Sequence, residues 1–135
     1  LQAVKRILKG NPNKPWAVAD LGCGSGDMLA RIVAWARHQN IRVQGTGIDA
    51  NPNIVAFART HHPEPELSFE ATNIFSPSFG QRSFDLVLAT LFTHHFTHAQ
   101  LVALFRLLKT QTRVAVIVND IHRHPLAYYS IKWLT

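Results

Sequence analysis

Three glycines, Gly22, Gly24 and Gly26, alternate with small residues in Asp20-Leu21-Gly22-Cys23-Gly24-Ser25-Gly26-Asp27, directly after the apolar run Trp16-Ala17-Val18-Ala19. Glycines lack a Cβ, so the backbone can turn sharply and come close to a ligand. The amides that open the next helix would point at whatever is bound. The spacing separates ligand classes. A dinucleotide fingerprint, Gly-x-Gly-x-x-Gly, counted from Gly22 puts its third glycine at Asp27, where a carboxylate would repel pyrophosphate. No Gly-Lys-Ser/Thr follows, so the phosphate loop of nucleoside triphosphate enzymes does not fit either. Gly-x-Gly-x-Gly with Asp20 before it suits a ligand that carries a ribose and a positive amino group but no phosphate. A second acid, Asp49 in Gly47-Ile48-Asp49, stands roughly 20 residues beyond the loop, the separation expected of a carboxylate that accepts hydrogen bonds from both ribose hydroxyls.

The elements that must position these residues follow from periodicity. Leu1, Val4, Ile7 and Leu8 share a helical face that Gly10 ends, and Asn11–Pro15 is a loop by composition. Trp16–Leu21 reads as a strand buried on both faces. Met28, Leu29, Ile32, Val33 and Ala36 line a helix, and Ile41–Ile48 is a second strand. Asn51-Pro52 is an N-cap followed by proline, opening a helix that runs to about His61. Leu67–Ala71, Phe84–Ala89 and Val114–Val118 are the third, fourth and fifth strands, with a helix over His98–Leu108. After His124-Pro125, Leu126, Tyr129 and Trp133 fall at helical spacing and predict a last amphipathic helix over Leu126–Leu134. Strands that alternate with helices and read as apolar runs predict an α/β fold: three layers, doubly wound, with a mostly parallel sheet covered on both faces. Ligands in such sheets bind beyond the carboxyl ends of the strands, which is where the glycine loop and Asp49 fall.

Val18–Gly26 with Gly47-Ile48-Asp49 resembles the first two motifs of the class I S-adenosylmethionine-dependent methyltransferases, of the type that acts on small molecules. Ser68–Phe75 is similar to the family's segment after the third strand, and Phe84–Thr90 to its fourth-strand motif, so the likeness runs from about Trp16 to Val118. The resemblance implies a Rossmann-like core and S-adenosylmethionine as cofactor, with S-adenosylhomocysteine as product. It implies a cofactor site made of Asp20, Gly22, Cys23, Gly24, Gly26, Asp49, Ala50, Asn73, Ile74, Ala89 and Thr90. Asn73 stands where the family usually has an aspartate against adenine; its amide oxygen can still accept a bond from an exocyclic amine. The family adds two further strands after the fifth. The resemblance therefore implies a single domain over residues 1–135, truncated at its C-terminus, whose fifth strand has an exposed edge that a helix or a second copy of the chain would cover.

Methyl transfer from a sulfonium is a direct displacement in which alignment supplies much of the acceleration. In this fold the end of the fourth strand faces the methyl group, so His94 or His95 is the candidate base for a hydroxyl acceptor, with His98 a weaker one. The alternative reading of His94 and His95 is structural. Asp120, His122 and Arg123 border the same side, either as acceptor contacts or as a solvated loop. Cys23 has no basic neighbour in sequence and reads as a small residue in a tight turn, not a nucleophile. His61 and His62 are adjacent and face apart, so no metal site is expected.

The composition, 135 residues with 47% hydrophobic and 16% charged, fits one folded domain. No apolar run reaches membrane-helix length. A single cysteine excludes an internal disulfide and fits a cytoplasmic location. The formal charge of +6, from 14 Lys+Arg against 8 Asp+Glu, is scattered. It keeps an RNA methyltransferase as an alternative to a small-molecule enzyme, although Ala89-Thr90-Leu91-Phe92 lacks the Asn/Asp-Pro-Pro-aromatic run of base-amine methylases. A cofactor-binding module without catalysis is a second alternative. A dinucleotide oxidoreductase is a third, opposed by Asp27.

Overall fold

The structure is a computed structural model. It describes residues 1–91, 96–120 and 128–132, with backbone alone at 90–91, 119–120 and 128–132. A helix α1 (Gln2–Lys9) leads into β1 (Trp16–Leu21). There follow α2 (Asp27–His38), β2 (Val43–Asp49), α3 (Pro52–His61), β3 (Leu67–Ala71), a short α4 (Pro77–Gly80), β4 (Phe84–Leu91), α5 (His98–Gln111), β5 (Thr112–Asp120) and β6 (Tyr128–Lys132). The six strands lie in the order β3-β2-β1-β4-β5-β6. The first five pair in parallel. The α/β class, the parallel core and the alternation of elements are as the sequence predicts.

The layers are sorted by their apolar faces. Val4 and Leu8 of α1, Leu29, Ile32, Val33 and Ala36 of α2, and Val55 and Ala58 of α3 share one core cluster with the sheet. Phe79 of α4 and Leu104 and Leu108 of α5 pack on the other face with Leu21, Val87 and Val116. The β1 residues Val18 and Ala19 are fully buried on opposite faces, which is why that strand carries no polar alternation. Helix starts are chemically marked. Asn51 accepts from Asn53 N–H at 2.9 Å, and Thr97 and Gln100 form a reciprocal capping box at the start of α5.

Two expectations fail. The last segment is not helical: Tyr128–Lys132 is a strand that pairs antiparallel with β5, Val116 opposite Ile131 and Val118 opposite Tyr129. Consequently β5 is not the edge of the sheet, and no second copy is needed to cover it. The hydrogen bonds offered by β5 outweigh a helical spacing in a segment also rich in β-formers, Tyr128, Tyr129 and Ile131. The short α4 was not foreseen, although Ser76 followed by Pro77 is a helix-start signal.

Candidate active site

The crevice lies at the carboxyl tips of β1 and β2. As β1 ends, Gly22 N–H and Cys23 N–H both donate to Ile48 O, at 2.7 and 3.1 Å, and Gly26 N–H donates to Cys23 O at 3.0 Å. Gly22, Gly24 and Gly26 have φ of 74°, 55° and 84°. Three left-handed residues within five positions explain the three glycines, because a Cβ is disfavoured there. At Gly26 a side chain also meets matter: a Cβ would lie 2.6 Å from Phe69 Cε1. Gly47 on β2 is constrained in the same way, with Phe69 Cδ1 at 2.5 Å and Cys23 Sγ at 3.0 Å from an added Cβ.

The two acids behave differently. Asp49 closes the loop from the side: Oδ2 accepts from Gly24 N–H at 3.1 Å and Oδ1 from Asn51 N–H at 3.0 Å. Each carboxylate oxygen has a further lone pair to offer. Asp20 is 4% exposed. Burial, reinforced by the negative charge of Asp49, pushes its pKa up from 3.8 to about 7. Cys23 is buried, and burial followed by the charges of Asp20 and Asp49 pushes its thiol up to about 12. A thiol so disposed is not a nucleophile at neutral pH. Two acids side by side, one held back from ionising by burial, suit a cation better than an anion.

The structure also places the remaining residues. Asn73 Oδ1 accepts from Phe75 N–H at 2.9 Å, so the side chain braces its own turn while keeping one lone pair. Ile74 packs against the α5-side core. Ala50 is exposed beside Asp49. Ala89 is buried and registers with Leu21 of β1. Thr90 follows it on β4, with its backbone beside Asn119. His94, His95, His122 and Arg123 lie outside the described residues. His98 is the first residue of α5. His61 and His62 do face apart: His61 Nδ1 is 3.0 Å from Phe57 O, and His62 Nε2 is 2.9 Å from Asp27 Oδ1.

Sequence reasoning missed Asp85. It is buried at the opposite end of β4 and accepts from Ala17 N–H at 2.7 Å, Lys14 Nζ at 2.9 Å and Arg113 Nε at 2.8 Å. The carboxylate thereby joins β1, β4 and β5 beneath the crevice. The acid inside the apolar run Phe84–Ala89 was the available signal.

The family described as "Methyltransferase domain" matches residues 18–115. The chain belongs to that family. The matched span takes in the glycine loop, both crevice acids, most of β1 and all of β2, β3 and β4 of this methyltransferase domain. A curated relative, the 2-phytyl-1,4-naphtoquinone methyltransferase of Nostoc sp. (strain PCC 7120), is 29% identical over 110 residues, covering 77% of the chain and 46% of the relative. Among solved structures, the citrinin polyketide synthase CMeT domain superposes with a TM-score of 0.72 at 22% identity, over 87% of this chain and 33% of that one. Magnesium protoporphyrin IX methyltransferase from Synechocystis PCC 6803, with bound SAM, gives 0.65 at 18% identity over 87% and 56%. These structural likenesses establish the Rossmann-like fold. The methyltransferase domain spans about half the length of the curated relative it matches.

Proposed function

We propose that this methyltransferase domain binds S-adenosylmethionine across the tips of β1 and β2 and transfers its methyl group to a small-molecule acceptor. The observation that carries the reading is the pair of carboxylates beside a left-handed glycine loop, with Asp27 and not glycine at the position a pyrophosphate would need. In this reading Asp49 accepts from the ribose hydroxyls with its spare lone pairs. Asp20 faces the positive amino end, and Asn73 with the Ile74 amide receives adenine. Ala50, Ala89 and Thr90 complete the wall. When bound, the cofactor supplies a methyl group activated on a sulfonium. The chain's own contribution is to fix that donor and exclude water, since alignment carries much of a direct displacement. For a hydroxyl acceptor, His94 or His95 accepts the proton. The curated relative's name, a naphthoquinone methyltransferase, favours a small molecule over RNA as acceptor. A cytoplasmic location completes the reading.

Calorimetric titration with S-adenosylhomocysteine tests it. The chain is expected to bind this compound and to bind NADH and NADPH poorly, with Asp49→Ala lowering affinity at least about tenfold through loss of charge-assisted hydrogen bonds. Unchanged affinity in the variant, or NADH binding as tight, sinks the reading.

A further inference from the structure

Asp27 opens α2 and His62 follows α3, 35 residues later, yet His62 Nε2 lies 2.9 Å from Asp27 Oδ1. The His62 side chain is 16% exposed, that of Asp27 74%. The imidazole stands beside Phe69 of β3, ring centroids 6.2 Å apart. Both rings back the third glycine: a Cβ on Gly26 would meet Phe69 Cε1 at 2.6 Å and His62 Cδ2 at 3.3 Å. Besides its backbone bonds, the loop is thus held by side chains on two sides. Asp49 ties Gly24 on one side, and on the other a His62–Asp27 bond ties the residue immediately after Gly26.

A carboxylate at the first helical position is drawn to the unpaired amides of its own helix start. Those amides are the ones that open on the loop. His62 instead engages Asp27 toward α3, and this bond, followed by one from Ser25, holds the Asp27 carboxyl below its ordinary pKa. A loop held in its bound shape before the ligand arrives loses less conformational freedom on binding. We propose that His62 is a positioning residue for the cofactor loop: by hydrogen-bonding Asp27 and packing with Phe69 behind Gly26, it keeps the third-glycine turn in its ligand-receiving form. The inference rests on the crevice being the S-adenosylmethionine site.

Titration of the whole chain with S-adenosylhomocysteine, alongside melting temperatures, tests this. His62→Ala and Asp27→Ala are each expected to weaken binding about three- to fivefold, the range for a partly exposed pair. The double variant should bind no more weakly than His62→Ala alone, because that substitution already breaks the contact that Asp27→Ala removes. His62→Gln, which keeps a nitrogen donor, should recover most of the affinity. Unchanged affinity in the single variants, or fully additive losses, overturns the proposal. Asp27 is exposed, so Asp27→Ala decides the matter even if His62→Ala does not fold: it must lower affinity by itself. A normal chain that does not bind S-adenosylhomocysteine overturns the cofactor reading, and this inference with it. A normal chain that binds while both variants bind equally well overturns the inference alone.

Discussion

Asp20 is buried beside a second carboxylate, and both facts disfavour its charged form: burial first, then the negative charge of Asp49. Its folded pKa of about 7 lies above its unfolded value of 3.8, so the folded chain binds more protons than the unfolded one between those limits. Stability from this group is therefore complete below about pH 4 and is lost as pH rises to 7, at no more than about 1.4 kcal/mol per pH unit. Asp20→Asn removes that slope. Denaturant titrations from pH 5 to 7.5 should show the variant more stable than the parent at the upper end, while S-adenosylhomocysteine binds it less well. A variant with the parent's pH slope would contradict this account. The glycines and crevice acids were legible in the sequence, because residue type and local spacing encode them. The Asp27–His62 bond was not, since its partners lie 35 residues apart and only the fold brings them together.

At the scale of elements, Asp85 shows how one side chain fixes strands far apart in sequence. It sits at the start of β4 and holds Ala17 of β1, 68 residues earlier, as well as Lys14 and Arg113. Burial raises its pKa, but the hydrogen bonds from Arg113, the Ala17 amide and Lys14 prevail and hold the carboxyl below its ordinary value. This stabilisation is present above the unfolded pKa, near 4, and is lost as pH falls below it. In Asp85→Ala, Lys14 and Arg113 can turn to water, whereas the Ala17 N–H, fixed in the backbone of β1, loses its acceptor. The expected loss is about 2–3 kcal/mol, read from urea unfolding at pH 7. Less than about 0.5 kcal/mol would mean that the contact does not bear on stability. Strands β1 to β5 could be read from the sequence, β1 and β3 with their observed bounds and β2, β4 and β5 with ends displaced by one to two residues. The sixth could not, because Leu126, Tyr129 and Trp133 mimic a helical stripe, and only the open side of β5 makes a strand the better choice.

In the whole molecule, parallel pairing places β1 at the centre, between β2 and β4. The apolar runs made this layered arrangement legible, but the order of strands comes from crossovers that no local pattern records. Val18 and Leu21 reach Gly45 and Ile48 on one side, and Leu86 and Ala89 on the other. The first set is close in sequence and the second distant. The crevice residues Asp20, Gly22–Gly26 and Asp49 all belong to the early part of the chain, but β1, which carries Asp20 and leads into the glycine loop, has only one neighbour until β4 is present. A chain ending before Phe84 should lack dispersed amide signals in a nuclear magnetic resonance spectrum and fail to bind S-adenosylhomocysteine, despite retaining every crevice acid. A dispersed spectrum from that fragment would refute the expectation.

Synthesis on the ribosome proceeds from the N-terminus, so the nascent polypeptide exposes the glycine-loop half well before the sheet can close around it. Between the emergence of Val43–Asp49 and that of Phe84–Leu91, an apolar ribbon stands with one flank bare, open to chaperones or to a neighbouring nascent chain.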